Sequence, residues 1–372
     1  MHKLAQQIVE RVVAGGRSAQ DALLQSLLEA TAAGSGELQR LSARRLVMKL
    51  KIDGRTWLFK IDSPQRSFES LRGRLRQPSL LREAEHLRQL GLNYPALPAE
   101  VHAEQLDAAN GLFARPWLEG RCGDVWVPQD AEAVGVGLAK LHELGWTDAD
   151  LCPADLLLDA AGCLLPLDLG HAFLHENGPS PEKVRLRDLV RLLGGWNEAQ
   201  RLELGEAIVA AYAGLLPCPA GDEILRQAKL WRFEIMRRQS RRCLRRTRDF
   251  LPTAHGGERV EAVPVGAALR LPVHDLRAAK RAFRLLYELE LLELPALRVL
   301  RFGTSQQHAF VEVAAPPHTL ASAGEETAVH ACLAALHDAG FAVFPHQLQD
   351  FHIQANGTAV LANAASLQRH GS

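Results

Sequence analysis

Asp150, Asp155 and Asp168 are three carboxylates whose order and spacing suit chemistry on phosphate. Asp150-Leu151-Cys152-Pro153-Ala154-Asp155 places two acids five apart, and Asp168 follows thirteen residues later in Leu167-Asp168-Leu169-Gly170. Leu141-His142-Glu143-Leu144-Gly145 reads as the end of a helix stopped by glycine. A loop carrying an acid at each end comes next, then the apolar run Leu156-Leu157-Leu158, a turn at Gly162 and a second short strand that delivers Asp168. Phosphoryl transfer from a nucleoside triphosphate uses such a set. One carboxylate aligns an acceptor hydroxyl, and two supply oxygen ligands that hold magnesium against the phosphates.

Such a set needs a cation on a strand upstream. Leu46 to Ile52 and Arg55 to Ile61 flank Asp53-Gly54, a pair of runs that predicts a hairpin with Lys60 late in its second strand. Leu81 to Gly91 has helical apolar spacing and ends at glycine. It offers Glu83, with Glu85 as the alternative, as the partner of Lys60. Phe113 to Gly120, which includes Arg115 and Trp117, reads as a strand and hinge suited to a nucleobase.

Taken together, these residues resemble the protein-kinase-like superfamily. LHxxG, an HxDLxxxN-like loop and a DFG-like triplet are matched at Leu141, His142, Gly145, Asp150, Leu151 and Asp168-Leu169-Gly170. Within that superfamily the chain is similar to the lipopolysaccharide core kinases (Kdo/WaaP-like). The matching features are Gly54-Arg55 with Lys60, the Arg82-Glu83-Ala84-Glu85 helix followed by Pro95, and the stretch Arg185 to Leu193 with Asp188. The similarity spans roughly residues 40–250. It implies an α+β fold of two lobes, the strand-rich one at about 40–112 and the helical one at about 120–250, with ATP and Mg2+ as cofactors. Asp150 is then the catalytic acid, Asp155 and Asp168 are the metal ligands, Lys60 and Glu83 position the phosphates, and Arg115 and Trp117 line the nucleotide site. Two residues depart from the family's pattern: Asp148 replaces the His of the HxD triplet, and Asp155 replaces Asn. No GxGxxG loop is present, since Gly34-Ser35-Gly36 lacks the spacing.

The 43 basic and 43 acidic residues cancel, so net charge directs the chain toward neither nucleic acid nor membrane. Six cysteines without a CxxC pair read as free thiols, not as disulfides or a zinc site. No signal-peptide stretch is evident at Met1 to Gln7, and the longest apolar run, Ala207 to Leu216, is too short to span a bilayer. The expectation is a soluble cytoplasmic protein, with peripheral contact at the inner membrane as a variant. Against the neutral background, Arg226 to Arg248 stands out. A helical projection gathers Arg237, Arg238, Arg241, Arg242, Arg245, Arg246 and Arg248 on one side. Phe233, Met236, Cys243, Leu244 and Phe250 fall on the other, so the basic side suits an anionic glycolipid of the lipopolysaccharide type or a phosphorylated sugar.

Residues 1–39 read as a helical extension broken near Gly15-Gly16, residues 40–252 as the kinase-like domain, and Thr253 to Gly257 as a linker. The tail, 258–372, repeats what precedes it. Ala328 to Phe341 echoes Ala133 to Trp146, and without a gap Asp350 falls on Asp155, Gly357 on Gly162 and Asn363 on Asp168. Pro345 stands where Asp150 would, so this second, degenerate kinase-like segment has no base. The expected function is an ATP- and magnesium-dependent kinase that phosphorylates a sugar hydroxyl. The rival reading is a pseudokinase serving as a binding or regulatory module in envelope biogenesis. A small-molecule phosphotransferase of the antibiotic or choline kinase type is disfavoured by the missing His.

Overall fold

The computed structural model describes residues 3–14, 19–41, 45–63, 79–107, 110–175, 178–245, 247, 250–253, 255–260, 268–305, 308–314, 319–322, 324–343, 347–361 and 367–369. The chain forms two compact units, Met1–Ala228 and Lys229–Ser372.

The first unit begins with helices α1 (Lys3–Ala14) and α2 (Ala22–Ala32). The expected break at Gly15-Gly16 lies outside the described residues. An antiparallel sheet follows, built from β1 (Glu37–Leu41), β2 (Arg45–Ile52), β3 (Arg55–Asp62), β4 (His102–Gln105) and β5 (Gly111–Pro116) in the order β1-β2-β3-β5-β4. Helix α3 (Ser79–Asn93) lies between β3 and β4 in sequence. The β2–β3 turn is the predicted Asp53-Gly54, with φ of 48° and 79°, the left-handed pair that a two-residue hairpin needs. Strand alternation then sorts the side chains. Trp57, Phe59, Ile61, Leu112 and Ala114 share one core with Ile8, Leu24 and Leu27 of α1 and α2. Leu58, Lys60, Phe113 and Arg115 take the other face, with Lys60 opposite Phe113 and Leu58 opposite Arg115.

The rest of this unit carries short strands β6 (Arg121–Cys122), β7 (Trp146–Asp148), β8 (Leu156–Leu158), β9 (Leu164–Pro166) and β10 (Ala172–Leu174). Its helices are α4 (Ala131–Glu143), α5 (Glu182–Gly195) and α6 (Glu198–Ala213), and α7 (Gly221–Ser240) follows. α4 stops where expected, with Gly145 at φ 83°. The arrangement is the two-lobed α+β build that the resemblance implies: a sheet with one helix, then a mainly helical part holding the acidic loops. No described helix is long and apolar enough to cross a membrane.

The second unit holds β11 (Phe250–Thr253), β12 (Gly256–Arg259), β13 (Ala268–Val273), α8 (Leu276–Leu291), β14 (Val299–Ser305), β15 (His308–Ala314) and β16 (Thr319–Leu320). After these come α9 (Glu326–Asp338), β17 (Phe341–Val343), β18 (Phe351–Ile353), β19 (Ala359–Leu361) and β20 (Leu367–Arg369). The expected linker is instead a hairpin: Thr253 pairs with Gly256, and β12 joins the sheet edge at β14. The basic stretch is not one helix either. α7 ends at Ser240, a 3-10 turn takes Arg241–Leu244, and Leu244, expected on the apolar side, is 36% exposed.

The echo in the tail is a repeat of structure. α4, β7, the turn Pro153–Asp155, β8, β9 and β10 start at 131, 146, 153, 156, 164 and 172. α9, β17, the turn Leu348–Asp350, β18, β19 and β20 start at 326, 341, 348, 351, 359 and 367. Pairing recurs too: β7 with β10 and β8 with β9, then β17 with β20 and β18 with β19. The Asp155 carboxylate accepts the Cys152 amide, and the Asp350 carboxylate accepts the Gln347 amide. Upstream, β13, α8, β14 and β15 follow the order and pairing of β3, α3, β4 and β5, whereas the hairpin β11–β12 is added at the opposite edge. Pro345 and Asn363 lie outside the described residues.

The repeat gives a paired test. Gly145 and Gly340 end equivalent helices at φ of 83° and 81°. A Cβ at Gly340 meets nothing within 4 Å among the described residues, but at Gly145 it runs into the backbone carbonyl of His175. Gly340→Ala should cost only the left-handed strain, about 1–2 kcal/mol. Gly145→Ala adds a collision with rigid backbone and should cost at least about 3 kcal/mol. Urea unfolding monitored by circular dichroism measures both, and equal costs would disprove the assignment.

Candidate functional site

Lys60 and Glu83 meet as the sequence predicts. Nζ lies 2.5 Å from Oε1, with both residues buried. The sheet supplies the lysine, because alternation on β3 turns it away from the α1–α2 core. Helix α3 supplies the glutamate on the stripe Leu80, Glu83, Ala84, Leu87 and Leu90 that faces inward. Glu85, the alternative, is exposed. Burial raises the Glu83 pKa against the pull of Lys60.

Asp168 joins this pair, with Oδ1 3.9 Å from Lys60 Nζ. It sits two residues past β9, and its carboxylate also accepts the Gly170 amide at 3.1 Å. The neighbouring Leu169 carbonyl accepts from His86 Nδ1 at 3.1 Å, tying this loop to α3. Burial works against the Asp168 charge, yet Lys60 and Arg45 outweigh it and hold the pKa below the usual carboxylate value.

Arg45 was not singled out from the sequence. Its guanidinium lies 3.6 Å from Asp168 Oδ2, donates to both Asp62 oxygens at 2.6 and 2.9 Å, and donates to Ser79 Oγ at 2.7 Å. The signal was present: counting back from a two-residue turn at Asp53-Gly54 sets Arg45 directly opposite Asp62.

Asp150 is exposed at the end of β7, and its amide donates to Asp148 Oδ1 at 2.7 Å. Asp188 of α5, fully buried, holds this loop from below by accepting the Asp148 amide at 2.8 Å. Arg191 adds a hydrogen bond to the Ala149 carbonyl. His142 is structural: it is buried, with Nδ1 2.8 Å from the Tyr212 hydroxyl, and burial pushes its pKa down. Asp148, standing where the family has His, is also buried. That desolvation, with the charges of Asp155, Asp188 and Asp168, pushes its carboxyl up to about 6.

Asp155 Oδ2 accepts from the Cys152 amide and thiol at 3.1 and 2.9 Å. Burial raises the Asp155 pKa, and the charges of Asp168 and Asp150 raise it further. A divalent cation relieves that crowding of carboxylates. Among the described residues no group of three or more His, Cys, Asp or Glu side chains converges as a metal cage. Two carboxylates completed by phosphate oxygens and water are the usual donor set for magnesium, so Asp155 and Asp168 fit it.

Arg115 and Trp117 have different surroundings. Arg115 is buried on the Lys60 face of the sheet, donates to the Pro116 carbonyl at 3.0 Å, and feels the charges of Glu83 and Asp168. Burial nonetheless pushes its pKa down to about 10. Trp117 is half-buried, with the Lys49 ammonium 4.6 Å from its ring centroid and its amide donated to the Thr56 carbonyl at 2.9 Å.

No protein-family model matches the chain, and no curated protein does. Among solved structures it is similar to WaaP in complex with acyl carrier protein, with 18% identity over 59% of this chain and 96% of that one, at a TM-score of 0.37. An aminoglycoside-3'-phosphotransferase of type VIII is similar at 17% identity over 56% of this chain and 97% of that one, TM-score 0.37. Spectinomycin phosphotransferase in complex with ADP and spectinomycin is similar at 11% identity over 60% and 88%, TM-score 0.38.

The buried Asp148 predicts a pH dependence. Its carboxyl titrates near 3.8 when unperturbed and near 6 in the fold. The folded state therefore binds the proton more tightly between those values. The contribution to stability is fully present below the lower value and is lost as pH rises through about 6. Asp148→Asn keeps an acceptor for the Asp150 amide and should exceed the parent's stability by up to about 3 kcal/mol at pH 8. The gap should close toward pH 4. Urea unfolding at pH 4, 6 and 8 with a chelator present reads it, and parallel profiles would refute it.

Proposed function

We propose that the first unit, from about residue 40 to Ala228, is a phosphotransferase that uses ATP and magnesium to phosphorylate a sugar hydroxyl. The observation that carries the reading is the buried Lys60–Glu83 pair with Asp168 within 3.9 Å of the lysine. A buried ammonium held by one carboxylate and facing a second is suited to phosphate oxygens bridged to a metal. Lys60 binds the phosphates and Glu83 fixes the lysine. Arg115 adds a second buried cation on the same face, and Trp117 borders the nucleobase. Asp155 and Asp168 hold Mg2+, which when bound supplies charge neutralisation at the phosphates. Asp150, exposed on a loop pinned by Asp188, aligns the acceptor hydroxyl.

The sugar acceptor follows from the resemblance to lipopolysaccharide core kinases, and a cytoplasmic site with peripheral contact at the inner membrane agrees with it. The second unit is proposed as a degenerate copy without chemistry. Counted on the same spacing, Leu80, Glu83, Ala84, Leu87 and Leu90 of α3 fall on Ala279, Ala282, Phe283, Leu286 and Leu289 of α8, so Ala282 takes the place of Glu83, and the acid that α8 does bury, Glu288, stands elsewhere on the helix. Arg45 favours a second reading, a pseudokinase. With Arg45 at 3.6 Å and Lys60 at 3.9 Å, Asp168 already has two counter-charges without a metal.

The two readings separate by measurement. Calorimetry with ATP should show binding that magnesium strengthens. Asp168→Ala should remove the magnesium effect. Asp150→Ala should leave nucleotide affinity within about twofold while lowering transfer by roughly 10²–10⁴-fold. Absence of ATP binding with and without magnesium would establish the pseudokinase reading instead.

A further inference from the structure

The arginines of the second unit fall into two classes. Some are matched: Arg238 to Glu234 at 2.5 Å, Arg259 to Glu290 at 2.7 Å and Arg301 to Glu312 at 2.9 Å. Arg237, Arg241, Arg242, Arg245, Arg277, Arg281 and Arg284 have no carboxylate within 4.0 Å among the described residues. The unmatched class is not scattered. Arg237 and Arg241 are one turn apart where α7 passes into the 3-10 turn, and Arg281 and Arg284 are one turn apart on α8, which packs against that turn.

Arg284 is at the middle of this convergence. It is half-buried, and its Nε is shielded from solvent without a hydrogen-bond partner. Burial lowers its pKa, and Arg241, Arg237 and Arg281 each lower it further, so all three press on the same guanidinium. Like charges that feel one another repel, and the unit leaves these four without a carboxylate although it pairs Arg238, Arg259 and Arg301. From the sequence, Arg238 belongs to the basic side. The structure removes it, because Glu234 neutralises it, and adds Arg281 and Arg284 from a helix 40 residues on that the sequence reading passed over.

We propose that Arg237, Arg241, Arg281 and Arg284, converging where the end of α7 packs on α8, form a binding site for a compact anion bearing clustered phosphates. Guanidinium forks pair bidentately with phosphate oxygens, and a pyrophosphate or phosphorylated sugar headgroup presents enough oxygens to engage several forks at once. The site is confined to two short stretches of helix in a chain of zero net charge, which suits a compact ligand over a long polyanion. The inference is independent of the nucleotide reading, because it concerns a different unit and none of the same residues.

The test is calorimetry of the full chain with inorganic pyrophosphate at low salt. Flotation with phosphatidylcholine vesicles, with and without phosphatidic acid, runs beside it. Arg241→Gln/Arg284→Gln should weaken binding at least tenfold, and so should the more exposed pair Arg237→Gln/Arg281→Gln if the first variant misfolds. The charge-matched control Arg238→Gln/Arg301→Gln should change it less than about twofold. Pyrophosphate binding without vesicle binding assigns a soluble phosphate, and vesicle binding that needs phosphatidic acid assigns a lipid headgroup. Either outcome supports the site provided the variants discriminate. No binding to either probe, equal losses in test and control variants, or tighter binding to duplex DNA than to pyrophosphate overturns it.

Discussion

A lysine and a glutamate 2.5 Å apart and shut off from water place a constraint that the first unit must satisfy. Neither charge is tolerable in the interior alone, and each is tolerable only in contact with the other. The pair therefore requires that α3 dock on the sheet in one rotation and one register. Leu80, Ala84, Leu87 and Leu90 supply the apolar burial that holds the helix there, and His86 ties it to the Leu169 carbonyl. The loop bearing Asp168 is thus positioned by the same helix that positions Glu83. One docking event sets the lysine, its partner and the candidate metal ligand together.

On the other side, the carboxylates are kept apart by a different device. Asp188 is fully buried and accepts the Asp148 amide, so the loop hangs from a helix by its backbone and not by the side chains it presents. Asp148 in turn accepts the Asp150 amide. Asp150 is left at the surface while its neighbour two residues back is buried. Burial makes Asp148 reluctant to ionise, which lowers the negative charge facing Asp150, Asp155 and Asp168. An Asp in place of His at this position is in that sense a neutral hydrogen-bonding group below about pH 6. His142 is held by Tyr212, and its Nε2 lies 3.8 Å from Asp188 Oδ2.

Much of this was legible in the sequence, where the residues obey local rules. The Asp53-Gly54 turn fixed strand register and with it the face of Lys60, and the apolar stripe of α3 selected Glu83 over Glu85. What was missed depends on contacts between distant segments. Arg45 and Ser79 meet at Asp62 across 34 residues, and the role of Asp188 comes from a partner 40 residues away. The supposed linker failed for another reason: small and polar residues at Thr253 to Gly257 signal a tight turn as readily as a domain boundary, and here Gly256 comes close to the Phe302 carbonyl within a sheet. The helical projection of the basic stretch failed because nothing in Ser240-Arg241-Arg242 announces the change from α to 3-10 geometry.

The repeat separates the frame from the chemistry. Over the described residues between Glu326 and Arg369 the backbone reproduces the run from Ala131 to Leu174, including the glycine that ends the helix and the aspartate that caps the turn. The residues retained are the ones that local geometry demands: left-handed glycines, a carboxylate accepting an amide three residues back, and apolar strand centres such as Phe351 and Leu361. Of the acidic set, Asp155 keeps its counterpart in Asp350, whereas Asp150 and Asp168 fall on Pro345 and Asn363 in the sequence. His142, buried against Tyr212, corresponds to His337, which is exposed. α8 packs its inner face with Ala282, Phe283, Leu286 and the buried Glu288, and carries Arg277 and Arg281 exposed. A fold of this kind needs its caps, turns and apolar stripes in order to form. In the second unit the same backbone forms around a helix whose inner face is mostly Ala, Phe and Leu.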